Sequence, residues 1–243
     1  MKEIDNDSVW RAGFALYKKD VRIFFFSPMA GVFFSAMLVL SGAFFYLGVG
    51  LTGEASLRSM VANLGVAMLF ALPLVTMRSI ADEERMGTLE LLLTTPISLP
   101  ILVFAKWLAA FTLSAMMLLL VSLYAAVLVW FGEPDVGILL TTFLGLLLVS
   151  GAFCAAGLFA SSLTSDPTVA AVGGVLVLLP FWLATTAATI FPEWVFLSQF
   201  GFIAHLRSFA VGVVDSADVL WFFGFTGVFL FLTWRSLDSR RWR

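Results

Sequence analysis

Apolar runs long enough to cross a lipid bilayer recur along nearly the whole chain. A membrane-spanning helix needs about 20 apolar residues to cross the hydrocarbon core. Six runs of this kind lie near residues 26–50, 59–77, 104–131, 137–163, 168–191 and 218–234. They are continuously apolar and lack the alternation of a lipid-facing barrel strand, so helices are predicted. Because 61% of the 243 residues are hydrophobic and 12% are charged, we expect an all-α polytopic membrane protein with six transmembrane helices and no separate soluble domain.

Lysine and arginine fall mainly on one side of this predicted bundle. Twelve of the 14 lie before the first span, between the second and third spans, or after the last span. The opposite side receives only Arg58 and Arg207. Since positive residues concentrate in cytoplasmic loops, both termini are predicted to be cytoplasmic and the number of spans to be even. The first apolar run is longer than that of a signal peptide, so the first span is expected to remain uncleaved.

Residues 1–22 are predicted to form a helix that lies in the cytoplasmic membrane interface. Its aromatic and apolar positions recur at steps of four, three and four, on one side of a helix: Trp10, Phe14, Tyr17 and Val21. The basic positions lie together on a neighbouring side: Arg11, Lys18 and Arg22. Rings at the acyl boundary and basic groups at the lipid head groups are typical of an interfacial helix. A soluble juxtamembrane helix packed on the rest of the protein is the alternative.

The fourth span carries small residues at spacings of four between Ser150 and Ser162. Small residues let helix backbones approach closely inside a membrane, so close helix packing is predicted there. The one cysteine, Cys154, lies in this stretch and is expected to be a packed small residue.

The stretch at residues 192–217, on the side away from the termini, is too apolar for an ordinary loop. A seventh crossing there would place the C-terminal arginines outside, against the charge distribution. We therefore expect two short helices that dip into the outer leaflet and return, broken near Gly201 and ending at Gly212. The candidate functional residues of this segment are His205, Arg207, Gly212 and Asp215. A surface loop at the interface is the alternative, because re-entrant backbone requires cover by protein or a water-filled cavity.

The segment at residues 78–100, between the second and third spans, is predicted to be a cytoplasmic loop dense in acidic residues. A short amphipathic helix is expected from Thr88, which would cap it, to Pro96, which would end it. Leu89, Leu92 and Leu93 would share one face of that helix, with Glu90 on another. Such a helix is suited to docking in a groove of another protein. A solvated turn that joins two spans is the alternative.

Two motifs in this chain resemble a known family. The sequence from Asp82 to Ser98, DEERMGTLELLLTTPIS, closely resembles the signature of ABC-2 permeases, a charged cluster followed by Gly-Thr-Leu-Glu, leucines and a Thr/Ser-Pro step. The sequence from His205 to Val219 looks like the segment before the last span in permeases of the GldF/NosY-like subgroup. One departure is the sequence Phe202-Ile203-Ala204, where gliding-type proteins are usually more aromatic and polar.

The resemblance implies that residues 23–243 form a six-span ABC-2 type transmembrane domain in a bacterial inner membrane. It implies a permease subunit that pairs with a second, identical or homologous permease and contacts membrane lipid. A separate ABC ATPase would bind ATP and Mg and drive export or another membrane-linked process. In that family the loop after the second span contacts the ATPase, which here implies contact by Asp82, Glu83, Glu84, Arg85, Gly87, Thr88, Leu89, Glu90, Leu92 and Pro96.

Other classes of protein are weakly supported by the sequence. The chain has no Gly-x-x-x-x-Gly-Lys-Ser/Thr loop, so ATP hydrolysis is expected on a partner, with no cofactor bound directly. It also lacks His-Glu-x-x-His and Gly-x-Ser-x-Gly, and a lone His205 is not expected to be a catalytic or metal residue. Nucleic acid is not an expected partner. A channel, a carrier or a structural membrane subunit remains the alternative, although charged residues are predicted only at the ends of the spans and in loops, which disfavours ion conduction.

Overall fold

The computed structural model describes residues 6–52, 58–90, 98–131 and 135–240, and within these ranges the regular elements are all helical. The α-helices are α1 (Asn6–Phe26), α2 (Pro28–Thr52), α3 (Arg58–Thr76), α4 (Arg78–Arg85), α5 (Leu99–Phe131), α6 (Val136–Ser162), α7 (Pro167–Ile190), α8 (Phe202–Ala210) and α9 (Ser216–Arg240). A 3-10 helix, Pro192–Phe200, lies between α7 and α8.

Six of these helices are long and apolar enough to cross a membrane, which confirms the predicted number. The candidate spans are Pro28–Gly48, Asn63–Arg85, Leu99–Val127, Val136–Ser162, Pro167–Ile190 and Ser216–Arg240. Two of them begin with side-chain caps, because the carboxylates of Asp135 and Asp166 accept hydrogen bonds from the first free backbone N–H groups of α6 and α7. The chain is therefore an all-α polytopic membrane protein.

The prediction of a loop at residues 78–85 is wrong, because this segment is the helix α4. Met77 keeps helical backbone angles and its N–H donates to the carbonyl of Pro73, so α4 continues almost directly from α3. The second candidate span accordingly ends at Arg85 rather than near residue 77. Glu83 and Glu84 of α4 find cationic partners on neighbouring helices, and Arg78 and Asp82 lie close to each other on α4 itself.

The helix α6 forms the centre of the bundle, where it packs against α3, α5, α7, α8 and α9. The small residues of α6 let the neighbouring helices approach closely, as predicted for the fourth span. A Cβ added at Gly157 would overlap the Thr76 side chain of α3, and one added at Gly145 would lie 2.8 Å from the Phe209 Cβ of α8. Cys154 is buried in the same helix, which confirms its expected place as a packed residue.

The helix α1 packs on α5 through Gly13, Leu16 and Asp20, while Trp10 and Phe14 keep 61% and 56% of their surface exposed. Helical geometry places the aromatic side between this packed side and the basic side. The helix therefore packs on the protein, as one alternative had it, and still presents an aromatic and a basic side outward. Its location in the lipid interface stays a prediction.

The segment before the last span consists of two short helices broken at Gly201, as predicted, although the first is a 3-10 helix. Gly201 has extended backbone angles, and Gly212 ends the segment with a φ of +93°. Phe202, Leu206 and Phe209 of α8 are buried, and α8 packs against α6 and α7. Protein therefore covers this backbone, as a re-entrant segment requires, and its dip into a leaflet stays a prediction.

Candidate coupling site at the α4 junction

The two described ends of the chain meet at one end of the bundle, and α4 lies between them. Leu16 of α1 and Leu237 of α9 belong to one buried apolar cluster that also contains Ile80 of α4. We call the contacts that α4 makes with its neighbouring helices the α4 junction. The polar contacts among them join α4 to α1, α5, α6 and α9.

The start of α4 is held by the hydroxyl group of Ser161, near the end of α6. This hydroxyl accepts hydrogen bonds from the backbone N–H groups of Ile80 at 3.1 Å and Ala81 at 3.0 Å, and it donates to the carbonyl of Met77 at 2.8 Å. Ser161 is fully buried. A single side chain on the central helix therefore satisfies three backbone groups where α3 passes into α4.

A buried lysine on α5 joins α4 to α1. Lys106 is 1% exposed and its Nζ lies 2.8 Å from Glu83 Oε2 of α4 and 3.4 Å from Asp20 Oδ2 of α1. The same Nζ donates a hydrogen bond to the carbonyl of Ser79 at 2.8 Å. Lys19, which is half exposed, lies 3.5 Å from the other oxygen of Glu83. A buried charge is costly without close partners, so these contacts fix the relative positions of three helices.

Burial and the neighbouring cations have opposite effects on the pKa of the Asp20 carboxyl. The loss of water around this side chain raises its pKa above the ordinary value, and the positive charge of Lys106 opposes that rise without cancelling it. Asp20 therefore gains a proton more readily than an aspartate in water would. Glu83 has the shorter distance to Lys106.

The last helix reaches α4 through Arg240. The guanidinium of Arg240 forms an ion pair with Glu84, and it also donates to the carbonyl of Ser162 at 2.7 Å. Ser236, one turn earlier on α9, donates to the same carbonyl at 3.2 Å. The ends of α6 and α9 are thus tied to each other and to α4.

The chain turns sharply after α4, and the next helix begins at Thr88, within the segment at residues 78–100. Gly87 has a φ of +69°, a backbone conformation that a side chain disfavours. The hydroxyl of Thr88 donates to the carbonyl of Glu83 at 3.2 Å, which secures the turn. The predicted helix does begin at Thr88, since residues 88–90 have helical structure. Leu92 and Pro96 lie outside the described residues.

The candidate contact residues divide into an exposed and a buried set. Arg85, Gly87 and Glu90 are exposed, and Asp82, Glu84 and Thr88 are partly exposed. Glu83 and Leu89 are buried, with Leu89 only 5% exposed in the cluster that holds Ile80 and Leu237. These two side chains therefore face the interior of this chain, and their contact with an ATPase stays a prediction.

Sequence reasoning missed four residues of this junction: Asp20, Lys106, Ser161 and Arg240. The expectation that charged residues occur only at span ends and in loops is wrong for Lys106, which lies inside the candidate span Leu99–Val127. A lone lysine within an apolar run was the available signal, because such residues need partners inside the protein. The carboxylates that pair with it come from two other segments, and no spacing in the sequence connects them.

At the opposite end of the bundle, His205 joins the short helices to α9. Its Nδ1 lies 2.7 Å from Asp218 Oδ1, its Nε2 lies 2.9 Å from the carbonyl oxygen of Gln199, and its ring stacks on Trp221. The carbonyl only accepts, so Nε2 carries a proton. Asp215 accepts from the backbone N–H of Ala217 at 2.9 Å and so caps α9, whereas Arg207 is exposed. These contacts hold α8 and the 3-10 helix on α9. Within the described ranges no group of three or more His, Cys, Asp or Glu side chains is placed to hold a metal ion.

Six candidate spans, with an N-terminal helix packed beside them and a charged junction at one end, define an all-α polytopic membrane protein. Residues 14–195 match the family model described as ABC-2 family transporter protein, which is more than half of the chain. The chain therefore belongs to the ABC-2 transporter family. No curated protein matches it.

Proposed function

We propose that this chain is the permease subunit of an ABC-2 type transporter and that a separate ATPase subunit drives it through the α4 junction. The chain would convert the ATPase cycle into movement of its spans, for export or for another membrane-linked process. Family membership supports the permease role. The observation that carries the coupling proposal is the set of polar contacts that joins α4 to four other helices.

A displacement of α4 would act on the whole end of the bundle, because polar contacts join α4 to several other helices. Lys106 connects it to α5 and α1, Ser161 to α6, and Arg240 to α9. The close ion pairs among these contacts, Lys106 with Glu83 and Arg240 with Glu84, are stronger than neutral hydrogen bonds. A force applied to the segment that follows α4 would therefore reach several spans together.

The exposed side chains around the Gly87 turn are the proposed ATPase contact. Arg85, Met86 and Glu90 point outward from the turn, and Met86 is exposed as a large apolar side chain. Glu83 and Leu89 act behind this surface as positioning residues, since they hold the turn on the bundle. The partner would bind ATP and Mg and carry out hydrolysis.

The remaining features of the proposal follow from charge and family. Both termini and the α4 junction would face the cytoplasm of a bacterial cell, because twelve of the 14 lysine and arginine residues are on that side. A second permease, identical or homologous, would complete the transporter, and GldF/NosY-like permeases are the proposed subgroup. The aromatic side of α1 would lie in the lipid interface.

Copurification of this chain with a coexpressed ABC ATPase tests the proposal. We expect the double variant Arg85→Glu with Glu90→Lys to reduce ATPase binding by roughly tenfold, because like charges placed across an interface are strongly unfavourable. The matched control is Arg235→Glu with Asp238→Lys, which reverses an exposed pair on α9 at the same end of the bundle. Equal ATPase recovery with both double variants, at equal membrane abundance, would exclude the Gly87 turn as the contact.

A further inference from the structure

A cavity of about 320 Å³ lies beside the α4 junction, between α1, the start of α2, α4 and α5. Small-molecule pockets in proteins begin at about 300 Å³, so the cavity has room for a lipid head group. Its walls fall into a charged part and an apolar part. Together they restrict the chemistry of a ligand.

The charged wall contains equal numbers of bases and acids. The bases are Lys19, Arg78 and Lys106, and the acids are Asp20, Asp82 and Glu83. Two of the pairs are loose, since Arg78 Nε lies 3.9 Å from Asp82 Oδ2 and Lys19 Nζ lies 3.5 Å from Glu83 Oε1. The side chains of Arg78 and Lys19 are about half exposed, so both can turn toward a ligand.

The apolar wall adjoins the first residues of the first span. It includes Phe24, Met29, Val75 and Leu113. Phe26, the last residue of α1, and Val32, near the start of α2, are exposed at 86% and 68%. An acyl chain that leaves the cavity would therefore meet exposed apolar side chains along the first span.

We propose that this cavity binds the head group of a zwitterionic aminophospholipid. Arg78 and Lys19 would hold the phosphate, because cations and N–H donors match its oxygens. Asp82 and the adjoining carboxylates would accept hydrogen bonds from the primary ammonium group. If Arg78 turned to the phosphate of an anionic lipid without an amine, Asp82 would lose its cationic partner. A trimethylammonium head group has no N–H to donate. This site does not depend on an ATPase partner.

Lipid binding to the purified full chain, measured by native mass spectrometry, tests the proposal. The probes are dioleoyl phosphatidylethanolamine, dioleoyl phosphatidylcholine and dioleoyl phosphatidylglycerol, each titrated in the same detergent. We expect the first bound phosphatidylethanolamine to be preferred by about tenfold over both other lipids, the size of effect that charge-assisted hydrogen bonds produce. Equal binding of the three lipids would overturn the proposal.

Two matched pairs of variants locate the site. Lys19→Gln should weaken phosphatidylethanolamine binding, whereas Lys18→Gln removes the same charge one residue away, outside the cavity lining. Arg78→Gln should also weaken it, whereas Arg235→Gln removes an arginine that has a similar carboxylate neighbour on α9. If each variant and its control bind phosphatidylethanolamine equally, the lipid binds elsewhere and the assignment is wrong.

Discussion

At the scale of single residues, Lys106 is the most constrained side chain of the α4 junction. It is almost fully buried, it lies within an apolar helix, and it contacts two carboxylates and a carbonyl oxygen. Removing one member of a buried ion pair leaves the other charges without compensation. The stability of this end of the bundle therefore depends on the balance between Lys106, Asp20 and Glu83.

The variant Lys106→Met should lower the free energy of unfolding by about 3–5 kcal/mol, the usual cost of breaking a buried ion pair from one side. Denaturant unfolding of the protein in detergent measures this change. The control Lys18→Met, on the exposed side of α1, should change stability by less than about 1 kcal/mol. Adding Glu83→Gln to Lys106→Met should recover part of the loss, and a double variant no more stable than the single one would argue against charge balance as the cause.

At the scale of elements, the spans were predictable and the helix α4 was not. Continuous apolar runs are sufficient to locate a spanning helix, since lipid offers the backbone no other way to satisfy its hydrogen bonds. The segment Arg78–Arg85 is charged, and its helix depends on Ser161, Lys106 and Arg240 from distant parts of the chain. Tertiary contacts of this kind leave no periodic pattern in the local sequence.

The close packing of α3 against α6 yields a prediction about Gly157. The variant Gly157→Ala should destabilise the protein by about 1–3 kcal/mol, because the added methyl group would overlap Thr76 in a packed interface. Thermal unfolding in detergent measures the effect. Gly227→Ala in α9 is the control, since a Cβ there meets no atom within 4 Å. A Gly157→Ala variant as stable as that control would show that α3 and α6 can separate without cost.

The outward sides of α1 yield a prediction about its depth in the membrane. A spin label at Phe14→Cys should be relaxed more by lipid-soluble oxygen than by a water-soluble nickel chelate, because aromatic residues of an interfacial helix lie at the acyl boundary. A label at Lys19→Cys, on a different side of α1, should show the opposite order. The measurement is power-saturation paramagnetic resonance in lipid vesicles, with Cys154→Ala as background. The same order at both positions would show that α1 does not lie in the interface.

At the scale of the whole molecule, successive spans run in opposite directions and so bring charged side chains of separate helices together at one end of the bundle. The N-terminal helix, α4 and the end of α9 meet there, as an even number of spans requires. Charge distribution in the sequence indicated which segments share this end. It did not indicate which side chains pair, because residues as far apart as Asp20, Glu83 and Lys106 meet only after the bundle has formed.

The most direct test of coupling through the α4 junction is a distance measurement across the far end of the bundle in the complex with its ATPase. Spin labels at Leu123→Cys in α5 and Leu220→Cys in α9 are exposed, and they report on two spans that reach the junction at their other ends. With Cys154→Ala as background, the distance between the labels should shift when ATP is trapped on the partner by vanadate. In Ser161→Ala, which removes the hydroxyl that holds the start of α4, the ATPase should still copurify but the shift should be lost. A shift of the same size in Ser161→Ala, or no shift in the parent protein, would contradict transmission through the α4 junction.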